Sequence, residues 1–539
     1  MLTLLLSALV ALSLPRRAAS APHTPEGRSR LSVRARPATG APATRKPLAP
    51  RPGDRTHVPA ALGVRVETAH PGAVLTPEFP GLSLETPALA SPAVTSGAPV
   101  LANLLREVGG GIVRVSGDSV DYTQWLPAPG PALGWAAATI APGDLERLAA
   151  LTRASGWRLI LGLNLGHPLI ASIVEEARGA ASLLGPSLGG LAIGNEPDIF
   201  TKAAPQPFRS LLGPSPLRAP GWGLPEYLTE SARVRAALAA AGVSAPIYGP
   251  ETATGGWLGA YAAAEHTGLA ALTPHLYPLI RCRAGRVLAH GPSAASLLSR
   301  GVAAHEARQI AGFMQASGST GLPVRIDETN SVACGGQPHV SDTFAAALWA
   351  LDYSLIAASH GVAGLNFHGG LGSCAKGGGI LSPWYSPLCT LPGGQLSARP
   401  EFYALLALRS LEGSTFVPVA YRTPADVSVY ALRAPDGTLR VVIDDMRTRA
   451  PARRHRRRPP PPGPLSVTLR VDPAYRSATV MRLLAPALTA TRGVTLGGAT
   501  LRLDGTLPQP LSTPLAGGAG SFTVRTTPAS AAIVTLPAG

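Results

Sequence analysis

Apolar and polar positions alternate through the middle of the chain in a regular rhythm of short and long segments. Each short apolar run of strand length is followed by an alanine- and leucine-rich helical stretch of about 12 to 20 residues, the pattern of βα units. Strands are predicted at 79–85, 111–117, 158–165, 189–195, 246–251, 271–277, 323–329 and 363–368. Helices are predicted near 95–108, 142–155, 168–184, 225–241, 256–266, 294–317, 340–360 and 399–411. Eight such units predict an α/β fold, the (β/α)₈ TIM barrel, whose active site lies at the C-terminal ends of the strands.

From about Ser414 the rhythm changes to short alternating runs. Asp436-Gly437 separates two of them, which is a strong hairpin signal. Further runs follow at 465–471, 478–484, 500–503, 521–525 and 532–536. These predict an all-β sandwich domain after the barrel. A strand at 63–67 precedes the barrel and is a candidate member of the same sandwich.

The length of 539 residues exceeds one ordinary core, and the hydrophobic fraction of 45% supports a substantial one. We assign a signal peptide to 1–21, a disordered Pro/Arg-rich linker to 22–58, the barrel to 59–411 and the sandwich to 412–539, with a basic Pro-rich loop at 448–464. The apolar segment at residues 2–14, on which the signal-peptide assignment rests, has no basic residue before it. The alternatives are therefore a misplaced start codon and an uncleaved membrane anchor. No later run is long enough to span a membrane.

The formal net charge of +16 comes mostly from arginine, because lysine occurs only as Lys46, Lys202 and Lys376. The arginine cluster at 453–458 has no interleaved aromatic side chains for base stacking and is followed by four prolines. We therefore expect a solvated loop and no nucleic-acid partner. A basic surface adhesin, with 22–58 and 448–464 as its functional parts, stays an alternative.

Four cysteines have no metal-ligand spacing, and an even count in a chain expected to be exported favours disulfides. The sequence alone does not fix the pairing. The pairing proposed is Cys282 with Cys334 and Cys374 with Cys389, since all four would lie in loops on one face of the barrel. An extracellular, monomeric protein is expected.

Two apolar runs end abruptly in a carboxylate. Glu196 ends the fourth predicted strand and Glu328 the seventh. Many other polar residues share the strand ends, and such convergence is costly unless it binds something polar. Hydrolysis of a glycosidic bond needs one carboxylic acid and one carboxylate, about 5 Å apart in a retaining enzyme. We assign Glu196 as acid/base and Glu328 as nucleophile; the alternative for both is a capping or turn role.

Three further residues are expected to serve this pair. Asn195 is placed to bond a sugar hydroxyl, Arg114 to keep Glu328 ionised, and Tyr277 to orient it. For Arg114 the alternative is an ion pair that merely satisfies barrel carboxylates. His275 is either a core histidine packed beside Tyr277 or part of the site.

Five segments carry a family resemblance: LAIGNEPD, VRIDETNS, SDTFAAALWALDYSLIAASHGVAGLNFH, VRVSGDSVD and GLSLE. Together, as an ordered set, they resemble family 79 glycoside hydrolases, the group of heparanase and bacterial β-glucuronidases. The resemblance spans roughly residues 60 to 539. It implies a clan A barrel, a retaining mechanism with the same two glutamates, no metal or organic cofactor, and a substrate with β-linked glucuronic acid.

The resemblance also implies further substrate contacts. Glu85 and Asp121 match positions that line the sugar subsite and would accept hydroxyl groups; the alternative for both is a role as helix or loop caps just beyond the strands. The family's uronate motif V-N-x-Y-x-G appears as Leu365-Asn366-Phe367-His368-Gly369-Gly370, which places Asn366, His368 and Gly370 in the substrate site. His368 stands where tyrosine is expected. An imidazole can bond a carboxylate, or the pocket can prefer a neutral sugar.

The function expected is an exported β-glucuronidase-like retaining glycosidase that acts on glycans. A retaining β-glycosidase for a neutral sugar and an endo-acting, heparanase-like enzyme are the enzymatic alternatives. Outside enzymes, the alternative is a carbohydrate-binding protein on a decayed barrel, although all five residues of the predicted centre are present.

Overall fold

The computed structural model describes residues 60–448 and 461–539, except Ser96, Gln206, Pro207, His266, Ala284, Ala289 and Ser319. The described residues all belong to the compact unit His57–Gly539. The predicted signal peptide, the linker and most of the basic loop lie outside the described residues. Within the described part, no helix is both long enough and apolar enough to cross a bilayer.

Eight parallel strands form the barrel predicted from the sequence. In chain order they are Gly81–Glu85, Ile112–Ser116, Arg158–Leu163, Leu188–Ile193, Ile247–Thr252, Leu269–Pro274, Arg325–Thr329 and Gly364–Gly369, and we call them barrel strands 1 to 8. Strands 1 to 6 pair in sequence, strand 7 pairs with strand 8, and strand 8 pairs with strand 1. Isolated bridges from Leu272 to Val324 and from Leu276 to Thr329 close the circle between strands 6 and 7. The predicted TIM barrel is confirmed.

The helices cover the outside of the barrel at the predicted places, except the short helix Arg209–Leu212, which was not predicted. They span Ala98–Val108, Pro142–Ser155, Ile170–Leu184, Arg209–Leu212, Leu224–Ala240, Leu258–Ala264, Ala294–Leu297, Arg300–Gly318, Phe344–Ser359 and Phe402–Arg409. One continuous helix predicted at 294–317 is wrong, because it breaks at 298–299. Asp426, from the loop before a sandwich strand, accepts a hydrogen bond from the backbone N–H of Arg300 (3.0 Å) and so starts a second helix there.

Two mostly antiparallel sheets form the sandwich that follows the barrel, as predicted. The seven-stranded sheet comprises Thr415–Val417, Val427–Arg433, Leu439–Asp445, Ser530–Leu536, Thr479–Leu484, Thr495–Leu496 and Thr513–Pro514. The five-stranded sheet comprises Val419–Ala420, Ala60–Val66, Leu465–Arg470, Ser521–Thr526 and Gly517–Gly518. The strand before the barrel therefore joins the sandwich, paired in parallel with Leu465–Arg470.

The strand predicted at 500–503 is wrong. The chain turns there instead, because the backbone N–H of Arg502 bonds the carbonyl of Thr506 (2.8 Å) and Asp504 accepts a hydrogen bond from the N–H of Thr506 (2.9 Å). An Asp-Gly pair that supplies this local bonding favours a turn over a strand.

The seven-stranded sheet is buried on both faces. Along one strand, Val441 and Ile443 lie in the core between the two sheets, whereas Val442 lies in the core shared with the barrel. Side chains alternate between faces with a period of two, so this strand is apolar on both faces. The sandwich is thus packed directly on the barrel.

The remaining strands are short and lie in the segments that follow barrel strands. Small ribbons pair Thr123–Trp125 with Ala138–Ile140, Leu279–Ile280 with Val332–Ala333, Cys282–Arg283 with Arg286–Val287, and Leu388–Thr390 with Leu396–Ala398. Disulfides join Cys282 to Cys334 and Cys374 to Cys389, the two pairs proposed from the sequence. All four cysteines lie in the segments after barrel strands 6, 7 and 8.

Replacing Ile443 by Ala should lower the free energy of unfolding by about 2 to 5 kcal/mol, because the side chain is completely buried between the sheets. Leu503→Ala is the matched control: this side chain is 60% exposed, and a change below about 0.5 kcal/mol is expected. Urea unfolding of both variants measures the difference. Equal changes in the free energy of unfolding of the two variants would show that the core between the sheets does not depend on the Ile443 side chain.

Candidate active site

A single buried guanidinium stands at the centre of the strand ends. Arg114, on barrel strand 2, is 0% exposed. It donates hydrogen bonds to Ser83 Oγ (2.9 Å), Asn195 Oδ1 (2.7 Å) and Glu328 Oε2 (3.0 Å). Its Nε also donates to Glu251 Oε2 (2.9 Å). One side chain therefore connects residues of strands 1, 5 and 7 and the end of strand 4.

Glu328 is held as a buried carboxylate by donors on two sides. Tyr277 donates its hydroxyl to Oε1 (3.0 Å), and Arg114 donates to Oε2. Burial by itself would raise the pKa of Glu328, but the charges of His368 and His275, with Arg114, hold it at about 2. Glu328 is thus ionised at neutral pH and is oriented through both of its oxygens.

Glu196 lies at the end of barrel strand 4 in a left-handed backbone conformation (φ 51°, ψ 48°). Pro197 then starts a short 3₁₀ turn, so the chain does not resume a strand after Ile193. His275 Nδ1 lies 3.1 Å from Glu196 Oε1. Burial raises the pKa of Glu196, and the hydrogen bond with His275 opposes this shift only in part.

The two glutamates face each other across a short gap. One carboxylate oxygen of Glu196, one of Glu328 and one ring nitrogen of His275 all lie within 4.8 Å of one another. One glutamate has a lowered pKa and its neighbour a raised one. Such a pair can present a carboxylate and a carboxylic acid to the same bond.

Asn195 and Asp121 form one unit beside Glu196. Asn195 Nδ2 donates to Asp118 Oδ1 (3.1 Å), and its backbone N–H donates to Asp121 Oδ2 (2.9 Å). The other oxygen of Asp121 accepts from the N–H groups of Leu165 (2.8 Å) and Gly166 (2.7 Å). Burial raises the pKa of Asp121 to about 6. Both its oxygens bind backbone, so its contacts are those of a positioning residue and not of the predicted hydroxyl acceptor.

His368 and Glu85 contact each other. The ring nitrogens of His368 lie 3.0 Å from Ser83 Oγ and 3.2 Å from Glu85 Oε1. The other oxygen of Glu85 accepts from the N–H of Ser119 (2.9 Å). Gly117 has φ 76°, and a Cβ there would lie 2.6 Å from the Glu85 carboxyl carbon, so only glycine fits this turn.

Asn366 and Gly370 do not present side chains to the site. Asn366 is fully buried; its amide donates to the carbonyls of Leu82 (3.0 Å) and Ile112 (2.9 Å), and its oxygen accepts from Arg325 Nε (2.6 Å). The predicted substrate contact of Asn366 is therefore replaced by a structural role in the barrel interior. A Cβ on Gly370 would lie 2.1 Å from the carbonyl oxygen of Leu381, which explains glycine there by close packing of a loop.

The sequence pattern assigns no definite role to four residues of this network: Asp118, Glu251, His275 and Asp327. His275 is fully buried and bonds Glu196, so it belongs to the site and not to the apolar core. One signal was available, since His275 and Tyr277 are two positions apart in one predicted strand and would share a face. For Glu251 and Asp327 the sequence shows only acidic residues near strand ends.

Two trios of side chains have the spacing of a metal site: Glu196, His275 and Glu328, and Glu251, His275 and Asp327. However, the guanidinium of Arg114 already lies 3.3 Å from Asp327 and 3.0 Å from Glu328. A metal ion there would meet a fixed positive charge. The donor set therefore fits proton chemistry better than a resident metal.

Several solved structures share the fold at low sequence identity. The chain is similar to a 4-O-α-L-rhamnosyl-β-D-glucuronidase from Fusarium oxysporum 12S (20% identity, 88% of this chain and 100% of that chain, TM-score 0.64). It is also similar to a GH51 arabinofuranosidase from Xanthomonas axonopodis pv. citri (12%, 88% and 99%, 0.61) and a GH family 44 xyloglucanase from Paenibacillus polymyxa (12%, 89% and 100%, 0.56). No protein-family model and no curated protein matches the chain. At these identities the likeness shows the fold, and membership of family 79 stays a prediction.

Replacing Arg114 by Gln removes the cation bonded to Glu328. We expect the pKa of Glu328 to rise by at least about one unit, measured by ¹³C NMR of labelled glutamate and assigned with Glu328→Gln. Arg158→Gln is the control, because Arg158 pairs with Glu78 at the surface with its side chain 39% exposed. An unchanged Glu328 titration in Arg114→Gln would contradict the assigned electrostatic role.

Proposed function

We propose that the protein is a retaining β-glycosidase with Glu196 as acid/base and Glu328 as nucleophile. The observation that carries the proposal is the pair of carboxylate oxygens within 4.8 Å of each other, one on each glutamate. Retaining enzymes need carboxyl groups about 5 Å apart, whereas inverting enzymes leave roughly 6.5 to 9.5 Å for a water. The glycosidase folds found among the similar structures agree with this reaction class.

In the first step, Glu328 attacks the anomeric carbon while protonated Glu196 gives its proton to the leaving oxygen. The raised pKa of Glu196 keeps this proton available, and the lowered pKa of Glu328 keeps the nucleophile ionised. The bond to the leaving group breaks as the ester to Glu328 forms.

In the second step, Glu196 takes a proton from water, whose oxygen attacks the same carbon and frees Glu328. Esterification has by then removed the negative charge of Glu328, which was one cause of the raised pKa of Glu196. Glu196 is therefore a carboxylate when a base is needed. Asn195, fixed by Arg114 and Asp118, is proposed to bond the hydroxyl next to the reacting carbon.

For the sugar we propose β-linked glucuronic acid. The motif resemblance supports it, and one of the similar structures is that of a rhamnosyl-β-D-glucuronidase. Glu85, Tyr277, His368 and the Gly370 backbone would line this subsite. The two disulfides fit a protein of an oxidising compartment, in line with secretion.

A neutral sugar is the second candidate, and one observation favours it. Both ring nitrogens of His368 already face protein partners, Ser83 and Glu85. A substrate carboxylate would have to displace one of them and would stand beside the carboxylate of Glu85. A neutral hydroxyl meets no such repulsion.

Hydrolysis of aryl β-glucuronide, glucoside, galactoside and xyloside by the purified protein separates these candidates. Glu328→Gln should lower kcat/KM by at least about a thousandfold on the sugar that is cleaved. Glu78→Gln, a surface carboxylate with its side chain 48% exposed, serves as the matched control. Cleavage of a neutral glycoside alone would replace the sugar but keep the mechanism. Glycan binding by both proteins without cleavage of any aryl glycoside would point to an endo-acting enzyme or a binding protein.

The pH profile tests the division of roles. The acidic limb of kcat/KM should follow Glu328 and the basic limb Glu196, so Glu196→Gln should abolish the basic limb. The loss in Glu196→Gln should also be larger for poor aryl leaving groups than for good ones, because only poor ones need the acid. A uniform loss across leaving groups would show that Glu196 is not the proton donor.

A further inference from the structure

Two carboxyl groups lie buried beside the catalytic pair without a role in the proposed reaction. Glu251 on barrel strand 5 and Asp327 on barrel strand 7 are both 0% exposed. Between them runs strand 6, after which His275 follows directly. Four polar atoms here have no hydrogen-bond partner among the described residues: Glu251 Oε1, both oxygens of Asp327, and His275 Nε2. Leaving so many buried polar atoms unpaired is costly.

Arg114 interacts more closely with Glu251 than with Asp327, whereas His275 lies at similar distances from the two. Arg114 donates to Glu251 through Nε at 2.9 Å and through a second nitrogen, so Glu251 is bonded as a carboxylate. Asp327 Oδ2 lies 3.3 Å from Arg114 Nε but accepts no hydrogen bond from it. His275 Nε2 stands 3.6 Å from Asp327 and 3.8 Å from Glu251.

Charge counting in this buried cluster leads to one arrangement. Arg114 and a protonated His275 bring two positive charges, and Glu251 with Glu328 brings two negative ones. His368, whose charge also acts on Glu328, is paired with Glu85 at 3.2 Å and is therefore left out of this balance. An ionised Asp327 would add a third negative charge with no donor of its own, which a buried site does not tolerate cheaply. A proton on Asp327 removes that charge and supplies a donor for Glu251, because one oxygen of each carboxyl group lies within 4.8 Å of the other.

We propose that Asp327 is uncharged and donates a hydrogen bond to Glu251, so that the two carboxyl groups share one proton and carry one negative charge. This negative charge keeps His275 protonated, and His275 in turn donates Nδ1–H to Glu196. Asp327 and Glu251 are thus positioning residues that act on the acid/base through an imidazolium.

The pKa directions agree with this geometry. Burial raises the pKa of Asp327 well above its ordinary range, while Arg114 holds that of Glu251 at about 2 against its burial. The pKa of His275 is raised well above its ordinary value, against burial, by the carboxylates it faces. The charged and titratable groups that act on Asp327 are Arg114, Glu251, His275, Arg325 and Tyr248.

The test is the titration of His275 by ¹⁵N NMR of labelled histidine in the full chain, assigned with His275→Gln. Asp327→Asn and Glu251→Gln each leave one negative charge, because the remaining carboxyl group ionises beside Arg114. Each single variant should therefore shift the pKa of His275 by less than about half a unit. The double variant removes the charge, and the pKa should fall by at least about one unit. Asp436→Asn, at the surface, is the control.

An ionised Asp327 in the wild type gives a different result. The pair would then carry two charges, and either single variant would lower the pKa of His275 by about one unit or more. That outcome overturns the proposal, and either single variant alone decides it if the double variant does not fold. The proposal's consequence for Glu196 rests on the proposed function, but this readout does not. Inactivity on every glycoside would contradict the proposed function but would not change the interpretation of the His275 titration.

Discussion

The candidate site depends on a positive charge that the barrel buries and cannot leave unpaired. Arg114 is completely enclosed, and its nitrogens reach side chains carried by four other strands or their ends. Removing one partner of a buried ion pair leaves an uncompensated charge, at a cost of about 3 to 5 kcal/mol. The positions of Glu328, Glu251 and Asn195 are therefore coupled to one another through a single guanidinium, although they come from distant parts of the chain.

Two residues with strained backbone lie at the same place. Glu196 and Glu251 both adopt positive φ, at 51° and 59°, and the N–H of Glu196 donates to the carbonyl of Glu251 (2.7 Å). Left-handed backbone costs a residue with a side chain about 1 to 2 kcal/mol. Asp198 adds support, since it accepts from the N–H groups of Ala253 (2.8 Å) and Thr254 (3.0 Å) in the segment after Glu251. The ends of strands 4 and 5 are thus locked together, and both glutamates turn toward the site.

The sandwich supports the site indirectly, through a helix of the barrel. Helix Phe344–Ser359 is buried almost throughout, because the barrel covers one side and the seven-stranded sheet the other. Tyr430 of the sandwich donates to Asp352 of this helix (2.7 Å), and Trp349 donates to Glu306 of the preceding helix (2.8 Å). Trp349 and Tyr353 also contact Phe367 of strand 8. Packing of the second domain therefore supports the strand that carries His368.

The strand and helix rhythm and the positions of the two glutamates at strand ends could be predicted from the sequence, because period and chain punctuation are local properties. The disulfide pairing was only proposed from it, since pairing depends on which loops lie side by side. The sequence also placed Arg114 and Tyr277 near Glu328, since strand ends of a parallel barrel meet on one rim. The three-dimensional arrangement was needed to show that Asp121 binds backbone, that Asn366 faces the barrel interior, and that His275 and Asp327 join the charge network. Those roles depend on register and on which strand lies opposite. A shift of one residue turns a side chain to the other face, and no local pattern records what it meets there.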